Sequence, residues 1–129
     1  LYYPEYKLEP VSVDCELSDG DFIQVGSLML EAIWTPGHTA KHLCFVLRSE
    51  GSILAFTGDF VFWQGHILQI STPDASLPDY LASMERFRGF GIDGLFPGHG
   101  AITISDGQAH VDKALSAFDR LGIPPNFGS

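Results

Sequence analysis

The chain has 129 residues, a formal net charge of −9, 45% apolar residues and 12% aromatics. That is enough for one packed domain and too apolar for a disordered segment. The acidic balance, with no Lys/Arg patch, argues against nucleic acid or an anionic membrane as partner, and no run approaches the roughly 18 apolar residues of a membrane span. The start, Leu1-Tyr2-Tyr3-Pro4-Glu5, carries no basic leader, no signal-type apolar stretch and no initiator Met, as expected of a chain processed or cut from something longer.

Val11, Val13, Cys15 and Leu17 alternate with polar residues and predict a half-buried strand. Ser18-Asp19-Gly20-Asp21 is a turn, and Phe22 to Val25 a short strand. Leu28 to Trp34 is nearly all apolar, the pattern of a strand covered on both faces. Leu43 to Leu47 is a further strand, which Ser49-Glu50-Gly51-Ser52 turns into Ile53 to Phe56. Ser76 with Asp79 forms a capping-box signature. Leu81, Met84, Phe87 and Phe90 follow at helical spacing, closed by Gly89 and Gly91. Leu95-Phe96 is a short strand. Ser105 with Gln108 is a second capping signature. Val111, Ala114, Leu115, Phe118 and Leu121 make one apolar face, stopped by Gly122 and Pro124-Pro125. The tail from Pro124 to Ser129 is expected to fray. Cys15 and Cys44 both fall in apolar strand patterns. They are expected as buried thiols, and weakly imply a reducing, cytoplasmic setting.

Three blocks stand at the ends of apolar runs: Thr35-Pro36-Gly37-His38-Thr39, Phe56-Thr57-Gly58-Asp59 and Phe96-Pro97-Gly98-His99-Gly100. Each puts a metal-capable side chain on a glycine-marked turn just after a predicted strand. Gly37, Gly58, Gly98 and Gly100 allow sharp turns and close backbone approach. Pro36 and Pro97 stiffen the entry to each histidine. Any one block alone is an ordinary turn. Together, two histidines and one carboxylate at strand ends predict a site for zinc, manganese or iron, with His38, Asp59 and His99 as ligands.

In this order and register the blocks resemble the second half of a metallo-β-lactamase superfamily hydrolase, from about Asp19 to Leu121. The branch with glyoxalase II-like thioesterases and lactonases is most similar. The resemblance implies an α+β fold: the C-terminal half of a four-layer αββα sandwich, a mostly antiparallel sheet covered by two helices. His38 resembles the histidine completing the first metal site, Asp59 the carboxylate bridging two metals, and His99 the histidine completing the second. The implied chemistry is attack by metal-activated water on an ester, thioester, lactone or amide carbonyl.

The family's upstream His-x-His-x-Asp-His pattern is absent, and no histidine precedes His38. This leaves two protein ligands per metal with Asp59 counted twice, where zinc sites use about four ligands in all. Metal binding is therefore expected to be weak or absent, no catalytic base is assignable, and the chain alone is expected to be inactive or weakly active. The expected organisation is a single half-domain spanning 1–129, with the inner face of its sheet open for a second copy or for a missing N-terminal half. Two alternatives are a non-catalytic half-fold that oligomerises or binds a partner, and a mononuclear site built from His38, Asp59 and His99.

Four residues are candidates for supporting the ligands or meeting the substrate: Thr39, His42, His66 and Trp63. His42 is expected behind the ligands rather than on the ion. His66 is either a substrate-side or an ordinary surface histidine. Trp63, with Phe60 and Phe62, is a substrate wall or core packing. His110 is expected to face solvent.

Overall fold

The computed structural model of the chain describes residue 7 and residues 9–128. The leader residues Leu1–Glu5 and the terminal Ser129 lie outside them. One five-stranded sheet is built in sequence order from β1 (Phe22–Val25), β2 (Leu28–Trp34), β3 (Leu43–Ser49), β4 (Ser52–Gly58) and β5 (Gly94–Pro97). The first four strands are antiparallel, and β5 adds to β4 in parallel.

Turn chemistry sets the hairpins. Glu50 and Gly51 both take positive φ, 52° and 81°, the two left-handed residues that a tight turn matching strand twist needs. A parallel neighbour needs a long crossover. Residues 59–93 supply it and carry helix α1 (Leu77–Glu85). Helix α2 (Gly107–Asp119) follows β5.

The core lies on one side of the sheet. Ile33, Cys44, Val46, Ala55 and Leu95 share a face by register and pack with Phe60, Tyr80, Met84, Phe87, Val111 and Leu115. Strand alternation puts Val25, Leu28, Leu30, Trp34, Phe45, Leu54, Phe56 and Phe96 on the opposite face. There Val25, Leu28, Trp34 and Phe56 are exposed. The α+β expectation therefore holds, but β2 is not covered on both faces along its length.

Ser76 Oγ accepts from the Asp79 N–H at 3.3 Å, as the first capping signature requires. Ser105–Gln108 is not a cap. The α2 N-cap is Asp106, with left-handed backbone at φ 57° and no capping side chain. The first helical N–H groups instead reach back, Gly107 to the Asp93 carbonyl at 2.8 Å and Gln108 to that of Ile92 at 2.7 Å. The Gln108 side chain also accepts from the Gly91 N–H and donates to the Phe87 carbonyl. α1 ends before Phe87 and Phe90, although Phe87 is fully buried. Leu121 leaves the α2 face and stands 98% exposed. Cys15 is exposed and outside any strand, because the 11–17 segment gains no sheet partner; Cys44 is buried, which pushes its thiol up to about 12.

Within the described tail, Pro125, Asn126 and Phe127 are tied down rather than frayed. Ile67 N–H donates to Pro125 at 3.0 Å and Phe127 N–H to Ile67 at 2.7 Å. Gln69 N–H donates to Asn126 Oδ1 at 2.8 Å. These bonds offset the backbone ordering that the sequence alone does not foresee.

Candidate metal site

Strands β2, β4 and β5 all point the same way, since β3 reverses between β2 and β4 and β5 is parallel to β4. Their C-terminal ends therefore lie at one edge, which brings the three glycine-marked loops together.

Each loop is shaped by close contact. Gly37 (φ 144°) lies against α1, where an added Cβ would stand 2.6 Å from the Tyr80 Cα. The Ser76 N–H donates to the Gly37 carbonyl at 2.9 Å and Ser83 Oγ to that of Pro36 at 2.7 Å. The Thr39 carbonyl closes the same turn by accepting from the Gly37 N–H at 3.2 Å. Gly58 (φ 51°) faces His42, whose Nε2 would be 2.9 Å from an added Cβ. Gly98 donates to the Gly58 carbonyl at 2.7 Å, and a Cβ there would stand 3.1 Å from Asp59 Oδ1. At Gly100 a side chain would press on the Phe127 ring at 3.0 Å.

The three metal-type side chains meet at Asp59. His38 Nε2 is 3.5 Å from Asp59 Oδ2, and His99 Nε2 is 3.3 Å from Asp59 Oδ1. Each imidazole thus faces its own carboxylate oxygen. Both gaps exceed the roughly 2.7–2.9 Å of a charge-assisted hydrogen bond. They match the separation of about 3.4 Å between two donors that each stand about 2.1 Å from a tetrahedral ion.

His38 is buried and oriented. Its Nδ1 is 2.7 Å from the Leu68 carbonyl. A carbonyl only accepts, so Nδ1 carries a proton and Nε2 is the ring nitrogen turned towards Asp59. Nε2 and Asp59 Oδ2 face each other across 3.5 Å. The donor set, imidazole nitrogen and carboxylate oxygen, suits zinc, manganese or iron. Among the described residues, no three His, Cys, Asp or Glu side chains gather as one metal-holding group. His38 and His99 instead each face a different oxygen of Asp59.

His42 uses both ring nitrogens. Nε2 accepts the Asp59 backbone N–H at 3.2 Å, which leaves the proton on Nδ1, donated to Thr35 Oγ1 at 2.8 Å. Burial lowers its pKa, nearby His38 adds to this, and Asp59 opposes it. His42 therefore holds the Asp59 backbone and has no nitrogen free for an ion.

Two supports were not read from the sequence. Tyr80 is fully buried, and its hydroxyl lies 3.0 Å from the Asp59 carbonyl and also bonds the Phe60 carbonyl. Phe127 stacks on Phe62 with centroids 4.4 Å apart and lies 6.2 Å from the His99 ring. Phe60 is core, stacked on Tyr80 at 5.2 Å. Trp63 packs on His110 at 4.3 Å. His110 is buried rather than solvent-facing, because its Nδ1 accepts the Gln64 N–H at 3.2 Å. His66 is half-buried, with its carbonyl accepting from the Phe62 N–H at 2.9 Å.

Comparisons with known proteins place the chain in a family. An atrochrysone carboxyl ACP thioesterase of Aspergillus fumigatus is 34% identical over 115 residues, 89% of this chain and 34% of that protein. The lactamase-like protein nscB of Neosartorya fischeri is 36% identical over 97 residues, 75% of this chain and 27% of that protein. The chain thus spans about a third of the length of such relatives. Among solved structures, a metallo-beta-lactamase family protein from Thermus thermophilus superposes with a TM-score of 0.70 at 24% identity, covering 86% of this chain and 37% of that one. ETHE1 from Myxococcus xanthus gives 0.60 at 22% identity, over 84% of this chain and 53% of that one. The family model of the metallo-beta-lactamase superfamily matches residues 5–99, a stretch that includes His38, Asp59 and His99. By that match, this chain belongs to the metallo-beta-lactamase superfamily.

Proposed function

We propose that the chain contributes half of the metal-ligand set of a metal-dependent hydrolase whose substrate class is a thioester or a related ester, lactone or amide. The observation that carries this reading is the sharing of Asp59, with one carboxylate oxygen facing His38 and the other facing His99. The thioester preference rests on the named activity of the Aspergillus fumigatus relative.

Divalent zinc, manganese or iron, when bound, supplies Lewis-acid polarisation and lowers the pKa of water. The chain's own residues orient and shield. His38 keeps Nε2 turned to Asp59 because its Nδ1–H donates to the Leu68 carbonyl. His42 fixes the Asp59 backbone. His99 is the most open of the three, with its side chain 60% exposed, and marks the side from which substrate enters. Phe127, half-buried and packed on the buried Phe62, offers an apolar surface beside it. The base that orients the attacking water comes from outside these residues.

The remaining ligands come with whatever covers the apolar sheet face. Val25, Leu28, Trp34 and Phe56 are each at least 37% exposed on it. Such a patch favours association, either with a second copy of this half-domain or with an N-terminal half carrying the histidine-rich motif. No helix among the described residues is long and apolar enough to cross a membrane. The free thiols of Cys15 and Cys44 support a reducing, cytoplasmic setting.

The test is zinc uptake by chelator-stripped protein, followed by thiol release from a model thioester, with light scattering on the same sample. Uptake that Asp59→Asn abolishes supports the site. Equal uptake by wild type and Asp59→Asn contradicts it. A dimer that takes up no metal favours a non-catalytic half-fold.

A further inference from the structure

We infer that Tyr80 is a positioning residue that locks Asp59 and His38 into one mutual geometry through a single buried hydroxyl. The inference rests on the metal-binding role proposed for those two residues.

The hydroxyl lies between both ends of the loop that follows β4. At the near end it donates towards the Asp59 carbonyl at 3.0 Å, with the Phe60 carbonyl as its other acceptor. At the far end it accepts the Leu68 N–H at 3.2 Å. Leu68 then turns its own carbonyl to His38 Nδ1 at 2.7 Å. One phenol therefore links the backbone of the shared carboxylate to the residue that sets the His38 tautomer. The same side chain touches the third element of this corner, since Gly37 can approach only because it lacks a Cβ against Tyr80.

A buried tyrosine that merely satisfies local backbone groups would have the same packing. The difference is in what its hydroxyl controls. Groups that orient metal ligands from behind typically change metal affinity by about 10–100-fold when removed. A residue that only fills space changes stability and leaves affinity alone.

Three proteins separate these cases: wild type, Tyr80→Phe, and Phe60→Leu, which disturbs the ring stacked on Tyr80 but keeps the hydroxyl. Zinc affinity is read by calorimetric titration, and the His38 Nδ1 proton by NMR. Tyr80→Phe is expected to bind zinc about 10–100-fold more weakly and to lose protection of the His38 Nδ1 proton. Phe60→Leu is expected to keep wild-type affinity. Unchanged zinc affinity and an unchanged His38 proton in Tyr80→Phe overturn the inference while leaving the metal reading intact. Absence of zinc uptake by wild type overturns the metal reading and the inference together. A second measurement needs no variant: in wild type the Tyr80 hydroxyl proton is expected to shift together with the His38 Nδ1 proton as zinc is added. A hydroxyl resonance unmoved at saturation overturns the inference.

Discussion

His38 donates through Nδ1 to the carbonyl of Leu68 at 2.7 Å, a contact between two residues thirty positions apart in the chain. That bond decides which imidazole nitrogen faces Asp59. It converts a histidine on a turn into an oriented donor.

In the proposed site Asp59 serves both positions, so its loss should exceed that of either histidine. Asp59→Asn is expected to weaken zinc binding by more than about 100-fold, beyond the usual effect of residues that only support ligands. His99→Ala should weaken one position and spare the other. Calorimetric stoichiometry across the two variants checks this.

Gly37→Ala forces a side chain to within 2.6 Å of the Tyr80 Cα, at a φ of 144°. Backbone strain and overpacking add, so a loss of about 3 kcal/mol or more in urea unfolding is expected. Gly20→Ala, at φ 83° with open space around it, meets backbone strain alone and should lose about 1 kcal/mol.

Burial lowers the pKa of His110 from its ordinary 6.5; Lys113 adds to this and Asp106 opposes it. Between 6.5 and the lower folded value, the unfolded chain binds more protons than the folded one. The stabilisation is therefore complete above about pH 6.5 and is lost as pH falls towards the folded value. His110→Asn keeps an acceptor near the Gln64 N–H and removes the titration. Its stability should fall less steeply than wild type from about pH 6.5 downwards in denaturant titrations. His42, lowered in the same direction by burial, keeps its share in both proteins.

Phe127 lies beside both Phe62 and the exposed His99. Phe127→Ala is expected to free the His99 ring and raise the proteolytic sensitivity of the tail, whereas Phe127→Tyr should preserve both. Imidazole line widths and limited proteolysis would show this. A Phe127→Ala protein identical to wild type in both would refute the contact's role.

Phe56 stands on the apolar sheet face, stacked on Phe96 at 5.2 Å and 37% exposed. If two copies pair through that face, Phe56→Asp should yield monomers in sedimentation experiments at micromolar concentration. A wild-type chain that is already monomeric there removes the self-pairing arm and leaves the N-terminal half as the cover.

The strands of the sheet and their turns were readable because alternation and glycine placement are local signals. Glu50-Gly51 turned where expected, and His38, Asp59 and His99 met because three strand ends share one edge. What escaped were contacts set by distant partners. Tyr80 does not belong to the Leu81–Met84–Phe87 pattern, yet its hydroxyl bonds the site's own backbone. The Ser105–Gln108 spacing imitated a cap, while Gln108 is committed to Gly91, Ile92 and Phe87. Pro124 onwards read as loose chain because nothing local announces pairing with Ile67. Cys15 sat in a strand-like alternation that has no neighbouring strand to complete it.

The most direct test is a zinc titration of chelator-stripped protein followed through the imidazole nitrogens of His38, His42 and His99 by NMR. Saturable shifts at Nε2 of His38 and of His99, with His42 retaining its protonated Nδ1, are the predicted result. No saturable shift at either Nε2, or a shift centred on His42 or His66, would contradict the account.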